Sequence, residues 1–413
     1  MIRRILVLFL MLVSLQMLGQ TTSSSPYSFY GLGIPDFKGT IENRLMGGIE
    51  VYSDSIHSNL QNPAGLAELK LVNYSLGAGY ISYDQKTATT SQSSTLTAVD
   101  YLALGIPMGK TVIAFGVLPH SAVGYRLETD LGESILRNTG EGGTNRVFLS
   151  AGYNLLEGLN IGVEANYNFG DIENNTLLYQ EGTEYATQEI NESTLSGFAF
   201  TLGATYKRKI SDELELHSSI SISPQASLNS ENERKIASVL AFQSGQVSVV
   251  EEIDVDVANS KFTLPTSWTI GAGIGKRHSW FAGFEYSSQQ GSDNVRNIFN
   301  LNNVSYTSSS KYRLGGHYVP NYRSISSYFS RVTYRAGLRY EELGLRINGQ
   351  DITEFGISFG ATFPMGRMFS KINVGAEYGQ RGTTKAGLVQ EDFMSIFVGL
   401  SLNDRWFEKR LYD

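Results

Sequence analysis

The clearest strand pattern in the chain is KINVGAEY, residues 371–378. Its apolar side chains, from Ile372 to Tyr378, occupy every second position, and polar residues or glycine occupy the positions between them. Successive side chains of a β-strand point to opposite faces, whereas a helical pattern repeats after about 3.6 residues. The stretch is therefore predicted to be a strand with one apolar face and one polar face.

The same alternation continues in the neighbouring segments 332–340, 354–363 and 394–402. Comparable segments recur back to residue 69, each at or above the roughly 9–11 residues that a tilted membrane strand needs. About 14 can be counted, and bacterial barrels have even strand numbers. The predicted fold class is all-β, a transmembrane antiparallel β-barrel of about 14 strands. A soluble β-sandwich is the alternative, but it would rarely show such a regular rhythm of strands and connections.

The composition agrees with a barrel and excludes other classes of protein. The chain has 413 residues, with 43 Gly, 23 Tyr and 21 Phe, and its mean hydropathy of -0.15 is too low for a helical membrane protein. A net charge of -7 gives no basic surface for nucleic acid. The absence of cysteine excludes disulfides and thiolate chemistry.

The N-terminus predicts export and sets the domain boundaries. Arg3 and Arg4 precede a short apolar run, residues 5–13, which is typical of a secretory signal peptide and too short to span a membrane. We expect a signal peptide at 1–20, an N-terminal plug at 21–67 and a β-barrel at 68–413. An exported chain without a spanning apolar run can cross a bilayer only as a barrel. This places it in the outer membrane of a Gram-negative bacterium, surrounded by outer-membrane lipid and lipopolysaccharide.

A short motif before the first strand connects the chain to a known family. The sequence from Asn62 to Ala67, NPAGLA, resembles the Asn-Pro-Ala motif in the N-terminal hatch of FadL/TodX-type outer-membrane proteins, the OMPP1/FadL family. The ending LNDRWF, residues 402–407, and the sequence around Gln20 look similar to Bacteroidota members, including PorV-type barrels of a secretion system. The resemblance implies a 14-stranded barrel, a hatch that plugs the lumen and a lateral opening at the third strand. Read alone, the motif is also a plain turn before a strand.

Three groups of candidate site residues follow for uptake of a hydrophobic ligand. The hatch motif is formed by Asn62, Pro63, Ala64 and Gly65. Proline gives no N–H to a strand ladder, so the candidate lateral gate is Leu118, Pro119, His120 and Ser121, with a bulge at the barrel rim as the alternative. The candidate apolar pocket consists of Tyr27, Phe29, Tyr30, Leu32 and Leu60.

The polar faces of the strands predict a charged lumen. Buried charges need partners, so we expect ion pairs among Arg146, Glu164, Arg335, Arg339, Glu354 and Glu377, and contacts with Glu42, Arg44 or backbone groups of the hatch. The alternative is that these residues line a path for a polar solute. Histidines are scattered at no ligand spacing, and GISFG at 356–360 lies in mid-strand, where a nucleophile elbow would need a strand-to-helix turn. We therefore expect no catalytic residue, no metal and no cofactor.

The connections between strands alternate in predicted length. Long extracellular loops are expected near 128–143, 173–192, 224–259 and 289–302, and short periplasmic turns between them. Apolar residues at 238–242 and 247–257 predict that one loop is a strand hairpin. Two function classes remain open: a FadL-like barrel for uptake of fatty-acid or hydrocarbon type molecules, and a non-transporting barrel subunit of an envelope protein complex for assembly or secretion, in the manner of PorV.

Overall fold

The computed structural model describes residues 24–241, 247–291, 303–365 and 370–405. The expected signal peptide at 1–20, most of the expected loop at 289–302, and Trp406 and Phe407 of the C-terminal ending lie outside the described residues. The strands are β1 (Ile34–Pro35), β2 (Val72–Lys86), β3 (Ser91–Met108), β4 (Thr111–Asp130), β5 (Ser134–Leu156), β6 (Leu159–Gln180), β7 (Ala186–Lys209), β8 (Glu215–Ser223), β9 (Ala226–Ala241), β10 (Val247–Val255), β11 (Ser260–Leu264), β12 (Ser267–Lys276), β13 (Trp280–Gln289), β14 (Val304–Tyr306), β15 (Ser309–Tyr318), β16 (Thr333–Ile347), β17 (Gln350–Met365), β18 (Ser370–Gly382) and β19 (Gln390–Asp404).

Helical structure among the described residues is short. It consists of one α-helical turn, Ile41–Arg44, and the 3₁₀ segments Pro26–Phe29, Pro63–Glu68, Phe329–Arg331 and Lys385–Gly387. No helix in the described ranges is long and apolar enough to cross a membrane.

Strands β2 to β19 form one closed antiparallel barrel with 14 wall strands. The seventh wall strand consists of β8 and β9, the eighth of β10, β11 and β12, and the tenth of β14 and β15. The barrel closes where the last strand pairs with the first, from Asp404 opposite Val72 to Gln390 opposite Lys86. The fold class predicted from the alternating sequence is confirmed.

The two faces of the wall differ as the alternation predicts. On β7, Phe198 and Phe200 are 64% and 53% exposed, whereas Ala199 and Thr201 between and beside them are buried. The exposed apolar side chains recur around the barrel and form a belt that faces lipid. Inward-facing positions carry polar and charged residues, which leaves the lumen polar.

One side of the barrel is much taller than the other. Strands β5, β6 and β7 have 23, 22 and 24 residues, whereas β13 and β15 have 10 each. The extra length lies at the end where β4 meets β5, which we call the outer end because long extensions of such barrels face the cell exterior.

The expected loops at 128–143, 173–192 and 224–259 are therefore wrong. These residues are largely strand, as the pairs Asp130–Ile135, Leu178–Thr187 and Val249–Val239 show. Beyond the lipid both faces of a strand are wet, so the apolar–polar alternation disappears from the sequence while the backbone ladder continues. The predicted hairpin is confirmed by the pairing of β9 with β10.

Residues 24–71, which we call the plug segment, lie inside the barrel. Their polar contacts reach wall strands on all sides, so no position outside the wall could satisfy them together. Examples are Ser25 to Glu391 at 2.6 Å, Lys38 to Glu164 at 2.7 Å, Glu42 to Asn373 at 2.6 Å, the Glu50 N–H to Glu285 at 2.7 Å and the Gly47 N–H to Ser358 at 3.2 Å. The segment begins near the outer end and reaches β2 at the opposite end.

Candidate functional site

The Asn-Pro-Ala motif forms a capped turn that is fully buried. Asn62 Oδ1 accepts a hydrogen bond from the Ala64 N–H at 3.0 Å, which caps the 3₁₀ turn that begins at Pro63. The Asn62 amide also donates to the backbone carbonyl of Ile220 in β8 at 3.1 Å. The motif thus joins the plug segment directly to the wall.

A row of three glycines receives this turn, and we call it the glycine seat. Gly152, Gly162 and Gly203 lie side by side on β5, β6 and β7, since Gly162 is the register partner of both others. A Cβ on Gly162 would lie 2.3 Å from the Ala64 nitrogen, and one on Gly203 would lie 2.1 Å from Asn62 Oδ1. Only glycine allows so close an approach of backbone to backbone. This row cannot be recognised from the sequence, because each glycine alone is ordinary within its strand.

The five candidate pocket residues do not line a common apolar cavity. Tyr27 packs with Ile347 and Ile352, and Tyr30 lies beside this group. Phe29 and Leu32 pack instead against a separate cluster on β4, β6 and β7, and Leu60 belongs to a third that joins the plug segment to β3, β4 and β5. The five residues do not form one shared apolar pocket: Phe29, Leu32 and Leu60 fill interfaces between plug segment and wall, whereas Tyr27 and Tyr30 also line a cavity at the outer end.

An ion network spans the inner wall from β16 to β19. Arg339 contacts Glu354 at 2.5 Å and Glu377 at 2.7 Å, and Arg381 contacts Glu354 at 2.5 Å and Glu391 at 3.3 Å. Each carboxylate is almost fully buried, so each requires its guanidinium partner. The plug segment joins the network through Ser25, which donates to Glu391.

Arg146, Arg335 and Glu164 have partners different from those expected. Arg146 donates to Asn168 at 3.1 Å and contacts His120 at 2.8 Å, and Arg335 donates to Thr362. Glu164 forms its ion pair with Lys38 of the plug segment. Burial lowers the pKa of the Lys38 ammonium, and the Glu164 carboxylate opposes that shift. Alternation assigns these residues to the inner face but gives no side-chain reach, so it could not identify the pairs.

The wall is split between β3 and β4 over its outer half. The two strands pair only from Met108–Thr111 to Leu102–Val117. Above that point, residues 91–101 of β3 pair with β2 and residues 118–130 of β4 pair with β5, with no pairing between them among the described residues. The plug segment takes the place of β3 here, because Ile34 and Pro35 pair with Ala122 and Ser121 of β4.

The four candidate gate residues lie at the lower end of this split. The ladder with β5 shifts register between Pro119 and Ser121, the irregularity expected from a proline. Leu118 is buried, the His120 carbonyl accepts a hydrogen bond from the Asp36 N–H at 3.0 Å, and Ser121 contacts Thr144 at 2.8 Å. The residues are thus held in place from within by the plug segment.

A cavity of about 1000 Å³ lies beside the split at the outer end. Its walls come from the plug segment and from the upper parts of β2 to β6. Tyr27, Tyr30 and Tyr125 are aromatic, and Leu96, Leu127, Ile347, Leu388 and Val389 are aliphatic. The remaining lining is largely polar: Gln85, Thr87, Thr90, Gln92, Thr95, Arg126, Glu128, Thr129, Thr139, Glu141, Glu173, Asn303 and Asn348. The cavity therefore suits a polar group better than a hydrocarbon.

Comparisons with solved structures agree with this architecture. The chain is similar to the Pseudomonas putida toluene transporter TodX, with 16% identity and a TM-score of 0.62 over 90% of this chain and 100% of that one. It is also similar to the CymD monoaromatic hydrocarbon channel, with 14% identity and a TM-score of 0.60 over 91% and 100% of the two chains. The Ralstonia pickettii toluene transporter TbuX gives 14% identity and a TM-score of 0.60 over 89% and 99%. At such identities the similarity shows the fold, as the FadL/TodX resemblance of the hatch motif predicted.

Comparison of the sequence with protein-family models identifies the family of the chain, whereas the solved structures show only its fold. No curated protein matches the chain. The model of the family named BamG, however, matches residues 1–413, which is the whole sequence. The chain therefore belongs to the BamG family.

Proposed function

We propose that this protein is a non-transporting, non-enzymatic barrel subunit of an outer-membrane protein assembly complex. The observation that carries the proposal is the packing of the plug segment against the wall, in which Phe29, Leu32 and Leu60 fill interfaces and form no common ligand pocket with Tyr27 and Tyr30. A hydrophobic ligand would need a continuous apolar path, and the lining of the cavity beside the split is interrupted by many polar side chains. The name of the family, BamG, favours a role in assembly.

In this proposal the barrel is a rigid scaffold in the outer membrane. The apolar belt contacts lipid, with lipopolysaccharide around the outer half. The contacts of the plug segment to strands on all sides hold the barrel in one shape, and the tall strands present a large water-exposed surface to other proteins. Rigid elements hold binding residues more precisely than loops do.

The test is isolation of the tagged protein from its native outer membrane in mild detergent, with proteins and extractable lipids identified by mass spectrometry. We expect a stoichiometric set of envelope proteins and no enriched apolar molecule. A lone barrel that carries a fatty acid or hydrocarbon would refute the proposal.

A second candidate function, uptake of a hydrophobic compound, is favoured by the split between β3 and β4. A gap in the wall at membrane level would let an apolar molecule leave sideways into lipid, and the plug segment would have to leave the edge of β4 first. Opposite residues of antiparallel strands lie about 4.5–5.5 Å apart between Cα atoms, which suits a disulfide. Ile34 and Ala122 are such a pair, and the chain has no other cysteine.

The variant I34C/A122C therefore separates the two functions. For a transporter, oxidation blocks uptake of toluene or oleate by cells, reductant restores it, and each single variant behaves like the wild type. For an assembly subunit, the oxidised variant supports normal levels of other outer-membrane barrels, and cells take up neither compound through this protein. Uptake that is unaffected by oxidation would exclude a transport route through this part of the wall.

A further inference from the structure

The tall side of the barrel ends in a strand edge that the wall does not use. Strands β10 and β11 pair with β9 on one side. On their other side the next wall strand, β13, begins its pairing only at Gln289 opposite Ser267 of β12. Within the described ranges, the edge from Val247 to Leu264 therefore has no strand partner. The N–H and C=O groups that point away from β9 can accept a further strand.

This edge lies in water, well above the lipid. The apolar belt on the eighth wall strand is marked by Trp268, Ile270 and Ile274 of β12. Val255, at the near end of β10, is separated from Trp268 by about 40 Å of extended chain at about 3.3 Å per residue. Lipid therefore cannot cover β10.

Four large apolar side chains are nevertheless exposed on this strand. Val247, Val249, Val250 and Ile253 are 37%, 52%, 52% and 59% exposed, and Ile236 and Leu240 of β9 add to the same region. Single exposed apolar residues are common, but a cluster on an unpaired edge is a hazard for aggregation unless something binds it.

The charge of the edge restricts what can bind. Glu251, Glu252, Asp254 and Asp256 lie within it, and its one cation, Lys261, lies beyond them on β11. Lys235 lies opposite Asp254 on β9 and offsets one of the four charges. A second copy of this chain would place like charges against each other, which disfavours self-pairing.

We propose that the edge from Val247 to Leu264 binds an extended segment of a cell-surface protein, which adds to the sheet as a further strand. The partner segment alternates apolar residues with lysine or arginine. Its backbone completes the ladder of β10 and β11. Opposite residues 252–256, its basic side chains meet Glu252, Asp254 and Asp256 on one face and its apolar side chains cover Ile253 on the other, and beyond the bulge further apolar residues cover Val247 and Val249. The inference rests on the proposed function, since a partner of this kind belongs to an envelope complex.

A crosslink at the bulge of β10 tests the inference directly. Val250 is the unpaired residue between Val249 and Glu251 in the ladder with β9, and its side chain is exposed, so a photoreactive phenylalanine analogue fits there. After irradiation of whole cells, we expect a crosslink to another protein, in a peptide with lysine or arginine among apolar residues. A crosslink to residues 292–302 of the same chain, to a second copy, or to a peptide without basic residues would overturn the inference, as would no crosslink.

Charge reversal gives the independent measurement. E252K/D254K should reduce the amount of that partner co-purified from the outer membrane at least tenfold. The matched control is D130K/E133K, which makes the same charge change at the exposed turn between β4 and β5, separated from the edge by β5, β6, β7 and β9. Heat-dependent migration in detergent gels checks that all barrels are folded. If the wild type co-purifies envelope proteins and E252K/D254K retains them all, the edge is not the docking surface although the proposed function stands. If the wild type co-purifies none, both fail.

Discussion

Filling the glycine seat should displace the plug segment without unfolding the barrel. The variant is G162A, whose new Cβ would lie 2.3 Å from backbone atoms of Pro63 and Ala64. Because carbon contacts are comfortable only at about 3.5–4.0 Å, the turn has to move by at least about 1 Å. Overpacking of this kind costs about 1–3 kcal/mol. That cost lowers the ratio of seated to displaced plug segment roughly 5- to 150-fold.

Two measurements report the position of the plug segment. Conductance across planar bilayers should be absent or rare for the wild type and frequent for G162A, and limited proteolysis should cut the variant within residues 24–71. The control A165V adds carbon atoms to the outward face of the same strand, where no plug residue lies, and should behave like the wild type. If G162A folds but stays closed and protease-resistant, the seat does not hold the plug segment and the argument from close approach is wrong.

Three further predictions concern polar contacts. R339M removes the cation that bridges Glu354 and Glu377, which keep only Arg381 and the more distant Arg44, and should lower the free energy of unfolding in urea by about 3 kcal/mol. R346M, which removes an exposed pair, should leave the urea midpoint unchanged. The double variant K38M/E164Q should destabilise the protein by less than the sum of the effects of K38M and E164Q, with a coupling energy above about 1 kcal/mol in a double-mutant cycle. Additive effects would show that the pair is not coupled. N62A loses a helix cap and a bond to the wall, so hydrogen exchange in residues 59–68 should speed up by the equivalent of about 1–2 kcal/mol; unchanged protection would contradict this.

The strands of the wall could be predicted from the sequence because lipid requires apolar side chains on one face of each strand. In β18, one face must be apolar and the other lines a polar lumen, so the segment 371–378 alternates without exception. Above the lipid that rule no longer applies, which is why the upper parts of β5 and β7 were mistaken for loops. When both faces of a strand are in water, its sequence does not need to alternate between apolar and polar residues.

The plug contacts could not be predicted for a different reason. Gly152, Gly162 and Gly203 lie side by side only because of the register of three strands. The alternation of a sequence gives the face on which a residue lies but not its position along the barrel axis. The pairing of Glu164 with Lys38 likewise depends on where the plug segment runs through the lumen. The Asn-Pro-Ala motif was visible because its turn is local, whereas the seat that receives it is dispersed over some 50 residues of chain.

The seam between the first and last strands has a consequence for how the protein is made. Every pair along it, from Val72–Asp404 to Lys86–Gln390, joins residues more than 300 positions apart, so the seam is among the least local contacts in the molecule. Contacts of this kind are the slowest to form. Until β19 arrives, β2 has an unpaired edge that lipid cannot solvate, and Ser25 lacks its carboxylate partner on Glu391. Closure of the wall and the hydrogen bond from the plug segment to Glu391 therefore both depend on the arrival of the final strand.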